Sequence, residues 1–217
     1  MANPRIIVLL GPQGAGKGTQ ARLLSEMLSV PHISTGELLR DISSQDNPLG
    51  HRVAEKMKAG RFVSDEVLAE VVRTRTERDD CHNGYILDGY PRNIPQVECL
   101  EKLAKEQDKG ILVINIDAPR DTLLHRLSGR LTCRNCGAVY NTNSRPPKND
   151  TVCDLDGGEL YQRNDDQPQS IAERLRLYDD NTVPLIEYYR STDRLVEVDG
   201  GREVEAVLDE LRQIINK

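Results

Sequence analysis

The sequence predicts an α/β protein in which a parallel β-sheet lies between layers of helices. Short runs rich in Ile, Val and Leu alternate with longer stretches of helical periodicity. Each run ends at polar residues or glycine, as expected of strands that are buried on both faces. Because strands and helices alternate along the chain, the strands are predicted to be parallel and joined by crossover helices.

The predicted elements follow from these two patterns. The strand pattern is found at residues 5–10, 30–34, 84–87, 111–116 and 195–198. Helical periodicity is found at residues 17–28, 35–42, 48–59, 65–76, 94–105, 119–127, 171–189 and 203–215. The helix at 171–189 is the longest, and Pro184 is expected to kink it. The helical period is absent from 129 to 166, where Cys, Gly, Pro and Asn concentrate, so this region is predicted to be an insertion of strands and turns.

Composition narrows the class of protein. The 217 residues are 37% hydrophobic and 29% charged, with one Phe and no Trp, so aliphatic residues are expected to build the core. The formal net charge of −6 argues against a general nucleic-acid binder, whose surface would be basic. The chain lacks an apolar stretch of about 18 residues, and its first apolar run is too short for a signal peptide. We therefore expect a cytoplasmic protein whose five cysteines are thiols or metal ligands.

A glycine-rich segment directly follows the first predicted strand. Residues 11–19 read GPQGAGKGT and lead into an amphipathic helix. This is the strand–loop–helix context of a P-loop, in which backbone N–H groups and the helix N-terminus bind phosphates and Lys17 reaches the outer ones. Gly18 stands where many P-loops have a Mg²⁺-binding Ser or Thr, which leaves Thr19 as the candidate. The loop alone leaves GTPases, shikimate kinases and thymidylate kinases open.

Three further segments identify a family. Residues 34–40 (STGELLR) follow the second predicted strand. Residues 88–92 (DGYPR) follow the third, with Gln96 four positions later. Residues 163–166 (RNDD) precede Arg174. Together with the P-loop, and in this order, these segments resemble adenylate kinase over almost the whole chain.

The resemblance implies the fold of a P-loop nucleoside monophosphate kinase, with a central five-stranded parallel sheet flanked by helices. It implies one kinase domain over 1–217, with its core at 1–33, 64–128 and 167–217. A small helical AMP-binding segment is expected at 34–63 and a β-rich lid at 129–166. The implied reaction is reversible phosphoryl transfer from MgATP to AMP, giving two ADP, in a monomer without nucleic-acid or membrane partners.

Such a reaction brings several negative charges together, so the site must supply positive charge. Guanidinium groups suit phosphate oxygens, and six arginines near the motifs are candidates: Arg40, Arg92, Arg126, Arg130, Arg163 and Arg174. The acceptor phosphate is already largely ionised near neutral pH, so a general base is not required.

The resemblance also implies roles for individual residues. ATP would be bound by Gly11, Gly14, Ala15, Gly16, Lys17, Gly18, Thr19, Arg126, Arg130, Val139, Tyr140 and Arg202. AMP would be bound by Thr35, Arg40, Arg61, Phe62, Val63, Gly89, Arg92, Gln96, Arg163 and Arg174. The amide of Gln96 can pair with the adenine edge. The catalytic residues would be Lys17, Arg92, Arg130, Arg163, Arg174 and Asp88, with Asp88 holding the water shell of Mg²⁺. Asp165 and Asp166 are expected to orient the arginines, although a simple turn role for Asp166 stays open.

The insertion contains two matching knuckles. Cys133 and Cys136 precede a glycine, as do Cys153 and Asp156, and 16 residues separate the inner cysteines. This spacing suits a four-ligand structural zinc site with one carboxylate ligand, and zinc-bearing lids of bacterial-type adenylate kinases resemble it. Unliganded thiols are the alternative.

Two other functions compete with this interpretation. Another nucleoside monophosphate kinase, for UMP/CMP or with GTP as donor, is disfavoured because those families tend to carry Ala or Ser in place of Thr35. The long insertion also argues against the short-lidded UMP/CMP type. A zinc-ribbon module that binds nucleic acid is disfavoured by the acidic net charge and by the absence of an aromatic and basic stripe.

Overall fold

The computed structural model describes residues 5–58 and 63–216. Its strands are β1 (Arg5–Leu10), β2 (His32–Ser34), β3 (Gly84–Asp88), β4 (Gly110–Asp117), β5 (Arg130–Cys133), β6 (Val139–Asn141), β7 (Leu160–Tyr161) and β8 (Leu195–Asp199). Five of them form a parallel sheet in the order β2-β3-β1-β4-β8. The predicted five-stranded parallel sheet is therefore confirmed, and β1 lies at its centre.

The helices are α1 (Lys17–Leu28), α2 (Thr35–Ser43), α3 (Pro48–Lys58), α4 (Asp65–Thr76), α5 (Ile94–Glu106), α6 (Arg120–Ser128), α7 (Pro168–Leu177), α8 (Val183–Ser191) and α9 (Val204–Ile215). Short 3₁₀ turns, which the sequence did not predict, occupy Asp79–Cys81 and Asn164–Asp166. Within the described ranges, none of these helices has the length and apolarity needed to cross a bilayer.

The prediction of one α-helix at 171–189 was wrong in detail. A π-helical turn, Tyr178–Thr182, separates α7 from α8, and Pro184 lies in the first turn of α8. Proline has no N–H to donate, and its ring clashes with the carbonyl four residues earlier. The wider π turn places the irregularity just before the proline, where the regular hydrogen-bond ladder cannot continue.

The central strand is buried on both faces, as its unbroken apolar run predicts. Ile6 and Val8 point into one hydrophobic cluster with side chains of α4, α5 and α8. Ile7 and Leu9 point into a second cluster, which α1, α6 and α9 cover. Tyrosines add to the aliphatic core, because Tyr85, Tyr90 and Tyr189 are fully buried.

The region 129–166, predicted to be strands and turns, contains a separate antiparallel sheet of order β6-β5-β7. Its hydrophobic cluster is small and consists of Cys133, Ala138, Tyr140, Cys153 and Leu160. This sheet lies between α6 and α7 in the chain.

Candidate active site

The glycine-rich loop connects the carboxyl end of β1 to α1 and requires glycine at defined places. Gly11 has φ of 133°, and a Cβ there would lie 1.9 Å from the carbonyl oxygen of Ile116. Gly14 and Gly16 also have positive φ, at 88° and 100°. L-residues rarely adopt these angles, so only glycine permits this path. The loop therefore turns tightly against β4 and ends at the positive N-terminus of α1.

Lys17, the first residue of α1, bends back over the loop. Its Nζ donates hydrogen bonds to the carbonyl oxygens of Gly11 at 2.8 Å and Pro12 at 2.9 Å. Burial lowers the pKa of Lys17 to about 8, with the nearby arginines acting in the same direction and Asp88 against it. The ammonium group thus lies in an environment that favours added negative charge, such as phosphate.

A cleft of about 640 Å³ opens in front of the loop, and most of the predicted site residues line it. They are Gly11, Gly14, Ala15, Gly16, Lys17, Gly18, Thr19, Arg40, Asp88, Gly89, Arg92, Arg126, Arg130, Val139, Tyr140, Arg163, Arg174 and Arg202. The cleft is bounded by the main sheet on one side and by the small antiparallel sheet on the other. Residues that are far apart in the sequence therefore line the same cleft.

Three predicted AMP-binding residues are not part of the cleft lining. Thr35 is fully buried, and its hydroxyl donates to the carbonyl oxygens of Asp88 at 3.2 Å and Gly89 at 3.0 Å. Gln96 is also buried, and its amide is bonded within the protein. Val63 is half-buried and packs against the hydrophobic core. Arg61 and Phe62 lie outside the described residues, so their predicted roles stay predictions.

Asp166, which is buried, and Asp165, which is half-buried, pair with arginines of the cleft. Asp166 is 1% exposed and accepts hydrogen bonds from both Arg130 and Arg174. Arg174 also forms an ion pair with Asp165, with Nη1 at 2.9 Å from Oδ2. Arg163 donates from Nε to the hydroxyl of Thr132 at 2.9 Å. These contacts engage the guanidinium groups of Arg130, Arg163 and Arg174 in the free protein; that the two aspartates orient the arginines for the reaction stays a prediction.

The arginines repel one another in a partly dehydrated site. Burial, aided by Arg174, lowers the pKa of Arg92 to about 10. Burial together with Arg130 and Arg40 lowers the pKa of Arg163 to about 10. Burial by itself would raise the pKa of Asp165, but the surrounding arginines outweigh it and keep the pKa below its ordinary value. The free cleft therefore has excess positive charge and suits a polyanionic ligand.

Asp88 lies at the carboxyl end of β3 with its side chain facing Lys17. Burial opposes its ionisation, but neighbouring His32 and Lys17 outweigh burial and lower the pKa of Asp88. The Nε2 atom of His32 lies 3.6 Å from Oδ2 of Asp88. Sequence reasoning assigned no role to His32, because its spacing from other histidines fits no metal motif. The parallel pairing of β2 with β3 places His32 opposite Ile86, two residues before Asp88, and its side chain reaches the carboxylate from there.

Two other predicted residues have contacts that the sequence did not indicate. Arg126 donates to the carbonyl oxygens of Gly200 at 2.8 Å and Gly14 at 3.4 Å, so it connects the phosphate loop to the turn after β8. Arg202 is exposed, and its side chain pairs with Glu210. Its guanidinium is therefore engaged outside the cleft in the free protein, and its predicted role in ATP binding stays a prediction.

The four predicted metal ligands lie together in the small sheet. Their donor atoms, three Sγ and one carboxylate oxygen, all lie within 4.8 Å of one another. Cys136 Sγ is 3.7 Å from Cys153 Sγ, and Cys133 Sγ is 3.3 Å from Asp156 Oδ1. Tetrahedral zinc with Zn–S bonds of about 2.3 Å places two sulfurs roughly 3.8 Å apart, so the donor set fits this ion.

The backbone of both knuckles supports the cluster. Gly137 and Gly157 have positive φ of 70° and 73°, and each donates its N–H to the carbonyl of the first ligand in its knuckle. The backbone N–H of Gly158 and the neighbouring thiols lower the pKa of Asp156 to about 2. Tyr140 places its hydroxyl 3.4 Å from Cys153 Sγ. The predicted ligands are thus brought together, and the sequence spacing alone was the signal that found them.

A phosphate-binding loop at the carboxyl edge of a parallel sheet, facing a cleft with several arginines, defines a kinase of small phosphorylated substrates. The sequence model of the family described as adenylate kinase matches residues 9–194. The chain belongs to the adenylate kinase family, and it is a nucleoside monophosphate kinase.

Relatives extend this match to nearly the full chain. The chain is 46% identical to an adenylate kinase of Archaeoglobus fulgidus over 212 residues, which cover 97% of the chain and 98% of that protein. It is 44% identical to an adenylate kinase of Thermoanaerobacter sp. over 96% of the chain and 97% of that protein. It is 43% identical to an adenylate kinase of Methanosarcina mazei over 97% of the chain and 98% of that protein.

Proposed function

We propose that the chain transfers a phosphoryl group reversibly from MgATP to AMP, giving two ADP, by direct in-line transfer across the arginine-lined cleft. The observation that carries this proposal is the convergence of Lys17 and the six candidate arginines, Arg40, Arg92, Arg126, Arg130, Arg163 and Arg174, on one volume beside the phosphate loop. Two nucleotides that meet at their phosphates bring the negative charge that this set can neutralise. Membership of the adenylate kinase family supports the choice of substrates.

Within the cleft, the roles follow from charge and position. Lys17 and the loop N–H groups hold the donor phosphates, while Arg92, Arg163 and Arg174 hold the phosphoryl group in transfer. Mg²⁺ arrives with ATP and shields the charge between phosphate oxygens; the ionised carboxylate of Asp88 suits its water shell. The acceptor is an anionic phosphate, so no side chain has to remove a proton.

We further propose that residues 34–63 form the AMP-binding segment and that 129–166 form a lid that closes over ATP. Arg130 lies near the start of the lid and Arg163 near its end, so its closure would move both guanidinium groups relative to the phosphate loop. Lid closure is a known property of adenylate kinases, and it excludes water that could act as an alternative acceptor.

Zn²⁺ is the proposed occupant of Cys133, Cys136, Cys153 and Asp156. Four protein ligands leave no open coordination position, so the ion would stabilise the lid without taking part in the reaction. We also propose that the enzyme acts as a monomer in the cytoplasm, without nucleic-acid or membrane partners, in keeping with its acidic net charge.

The test is a coupled assay that pairs each nucleoside monophosphate with each triphosphate. We expect a strong preference for AMP over UMP, CMP and GMP in kcat/KM. Equal kcat/KM values for AMP and UMP would overturn the assignment of AMP as acceptor and favour a UMP/CMP kinase.

A further inference from the structure

Asp65, the first residue of α4, connects two helices at the acceptor side of the site. Its Oδ1 accepts a hydrogen bond from Nε2 of Gln96 at 2.5 Å. Both of its carboxylate oxygens also lie 3.1 Å from Nδ2 of Asn93. Asn93 caps the N-terminus of α5, and Gln96 is in the first turn of that helix. Asp65 was not among the residues that the sequence suggested for the site.

The partners of Gln96 define which way its amide points. Its Oε1 accepts the backbone N–H of Arg92 at 2.7 Å, and a backbone N–H can only donate. Its Nε2 faces Asp65, and a carboxylate can only accept. A 180° turn of the amide would set N–H against N–H and oxygen against carboxylate. The turned state is therefore disfavoured at both ends.

Asn93 is fixed by the same rule, which strengthens the network. Its Oδ1 accepts the backbone N–H of Gln96 at 3.0 Å, so its Nδ2 must face Asp65. The carboxylate of Asp65 thus accepts N–H groups from two side-chain amides. The oxygen of each amide already accepts a backbone N–H. Because Gln96 is 1% exposed, solvent cannot readily replace these partners.

We infer that Asp65 is a positioning residue that sets the nucleobase specificity of the acceptor site by holding the Gln96 amide in one orientation. The inference rests on the proposed role of Gln96 in reading the acceptor base. In the fixed orientation one lone pair on Oε1 and one N–H on Nε2 are not used by these protein contacts.

This remaining acceptor and donor pair matches one type of purine edge. A 6-aminopurine offers an amino donor and the N1 acceptor, which complement Oε1 and Nε2. A 6-oxopurine offers an oxygen acceptor and an N1–H donor, which complement the amide only after it turns. An amide that is free to turn would therefore bind both edges, whereas a fixed amide selects AMP against IMP.

The test is Asp65→Asn, assayed with AMP and IMP as acceptors at saturating MgATP. An asparagine can present either oxygen or N–H to Gln96, so one of the two contacts that oppose the turned amide is lost at nearly constant volume, and only the backbone N–H of Arg92 still opposes it. We expect the ratio of kcat/KM for AMP over IMP to fall by about tenfold or more, with the KM for ATP unchanged. Glu66→Gln, which removes a neighbouring exposed charge on the same helix turn, is the control and should leave the ratio unchanged.

Other outcomes separate the inference from the proposed role of Gln96. If Gln96→Met leaves the AMP/IMP ratio unchanged, Gln96 does not read the base. If Gln96→Met lowers the ratio but Asp65→Asn does not, Gln96 reads the base without needing Asp65, and the inference is wrong. A proportional fall for both acceptors in Asp65→Asn would indicate a merely structural role and would also overturn it. Should Asp65→Asn fail to fold, Asp65→Ser makes the same prediction, because serine suits a first helical turn and its hydroxyl can donate or accept.

Discussion

The parallel sheet and the small antiparallel sheet gain their stability from different sources. Among the described residues, the two clusters that flank the parallel sheet contain 21 and 16 buried hydrophobic side chains. The cluster of the antiparallel sheet contains five, two of which are proposed metal ligands. A segment of this size cannot build a sufficient core by itself. The main body is therefore held by apolar burial, and we expect the 129–166 region to depend on its cysteine cluster.

The two regions also differ in the charged groups that they bring together. The cleft of the main body concentrates cations whose pKa values are lowered by burial and mutual repulsion, as Lys17 and Arg92 show. This arrangement lowers stability until a polyanion arrives. The cysteine cluster instead collects donor atoms that a dication would stabilise. Variants in the cleft should therefore change catalysis first, and variants in the cluster should change stability first.

The largest expected effect tests the cleft. Lys17→Met removes a positive charge at the transferring group, which should cost several kcal/mol of transition-state stabilisation, or about a thousandfold in kcat. The melting temperature should not fall, because the replaced ammonium is a charge that burial disfavours. Steady-state kinetics and calorimetric melting check both parts. A variant that kept more than about a tenth of wild-type kcat, which is about 1.4 kcal/mol, would contradict the role of Lys17.

The reverse pattern is expected in the cysteine cluster. Replacing Cys133 and Cys136 with Ser should remove one zinc equivalent per chain and lower the melting temperature by about 10 °C. Activity at moderate temperature should largely survive, because the ion has no open position for substrate. Elemental analysis of protein purified without chelator and thermal melting are the measurements.

Cys99→Ser is the matched control, since Cys99 is an exposed thiol outside the cluster. It should change neither the zinc content nor the melting temperature. The comparison between the two regions would fail if wild-type protein contained no zinc. It would also fail if loss of the metal stopped catalysis while thermal stability stayed the same.

The smallest expected effect concerns protons. In the free protein the pKa of Lys17 is about 8, so at pH 9 most of this side chain is neutral. Bound phosphates favour the charged form and raise the pKa, so binding of ADP at pH 9 should take up close to one proton at this site. At pH 6.5 the group is already charged, and this uptake should vanish. Calorimetric titration in buffers of different ionisation enthalpy measures it.

Lys17→Arg and Lys17→Met serve as controls for the proton measurement. Neither side chain titrates in this range, so both should lose the uptake at pH 9. If the uptake persisted in either variant, another group would be its source, and the lowered pKa of Lys17 would not explain it.

Local patterns predicted the fold well, and tertiary contacts explain what they missed. The unbroken apolar run of β1 and the GPQGAGKGT loop are properties of adjacent residues, so the sequence alone was enough to predict them. The π-helical turn before Pro184 was missed, because a helical period in the sequence does not distinguish the four-residue hydrogen-bond offset of an α-helix from the five-residue offset of a π-helix.

In the site, motif positions predicted which residues line the cleft but not how they are held. The adjacency of His32 and Asp88 depends on the pairing of β2 with β3, which no spacing reveals. Asp65 and Gln96 are 31 positions apart in the sequence, so local sequence patterns could not predict the hydrogen bond between them. Thr35 was expected at the ligand but has its hydroxyl directed to the loop after β3.

Tyr140 connects the nucleotide cleft with the cysteine cluster of the 129–166 region. Its residue lines the nucleotide cleft, while its hydroxyl lies against Cys153 Sγ and accepts the backbone N–H of Asp154 at 2.9 Å. One aromatic side chain thus links a strand that lines the cleft to the second cysteine knuckle. Because the ring has no internal torsion angles, the strand and the knuckle are expected to keep a fixed spacing.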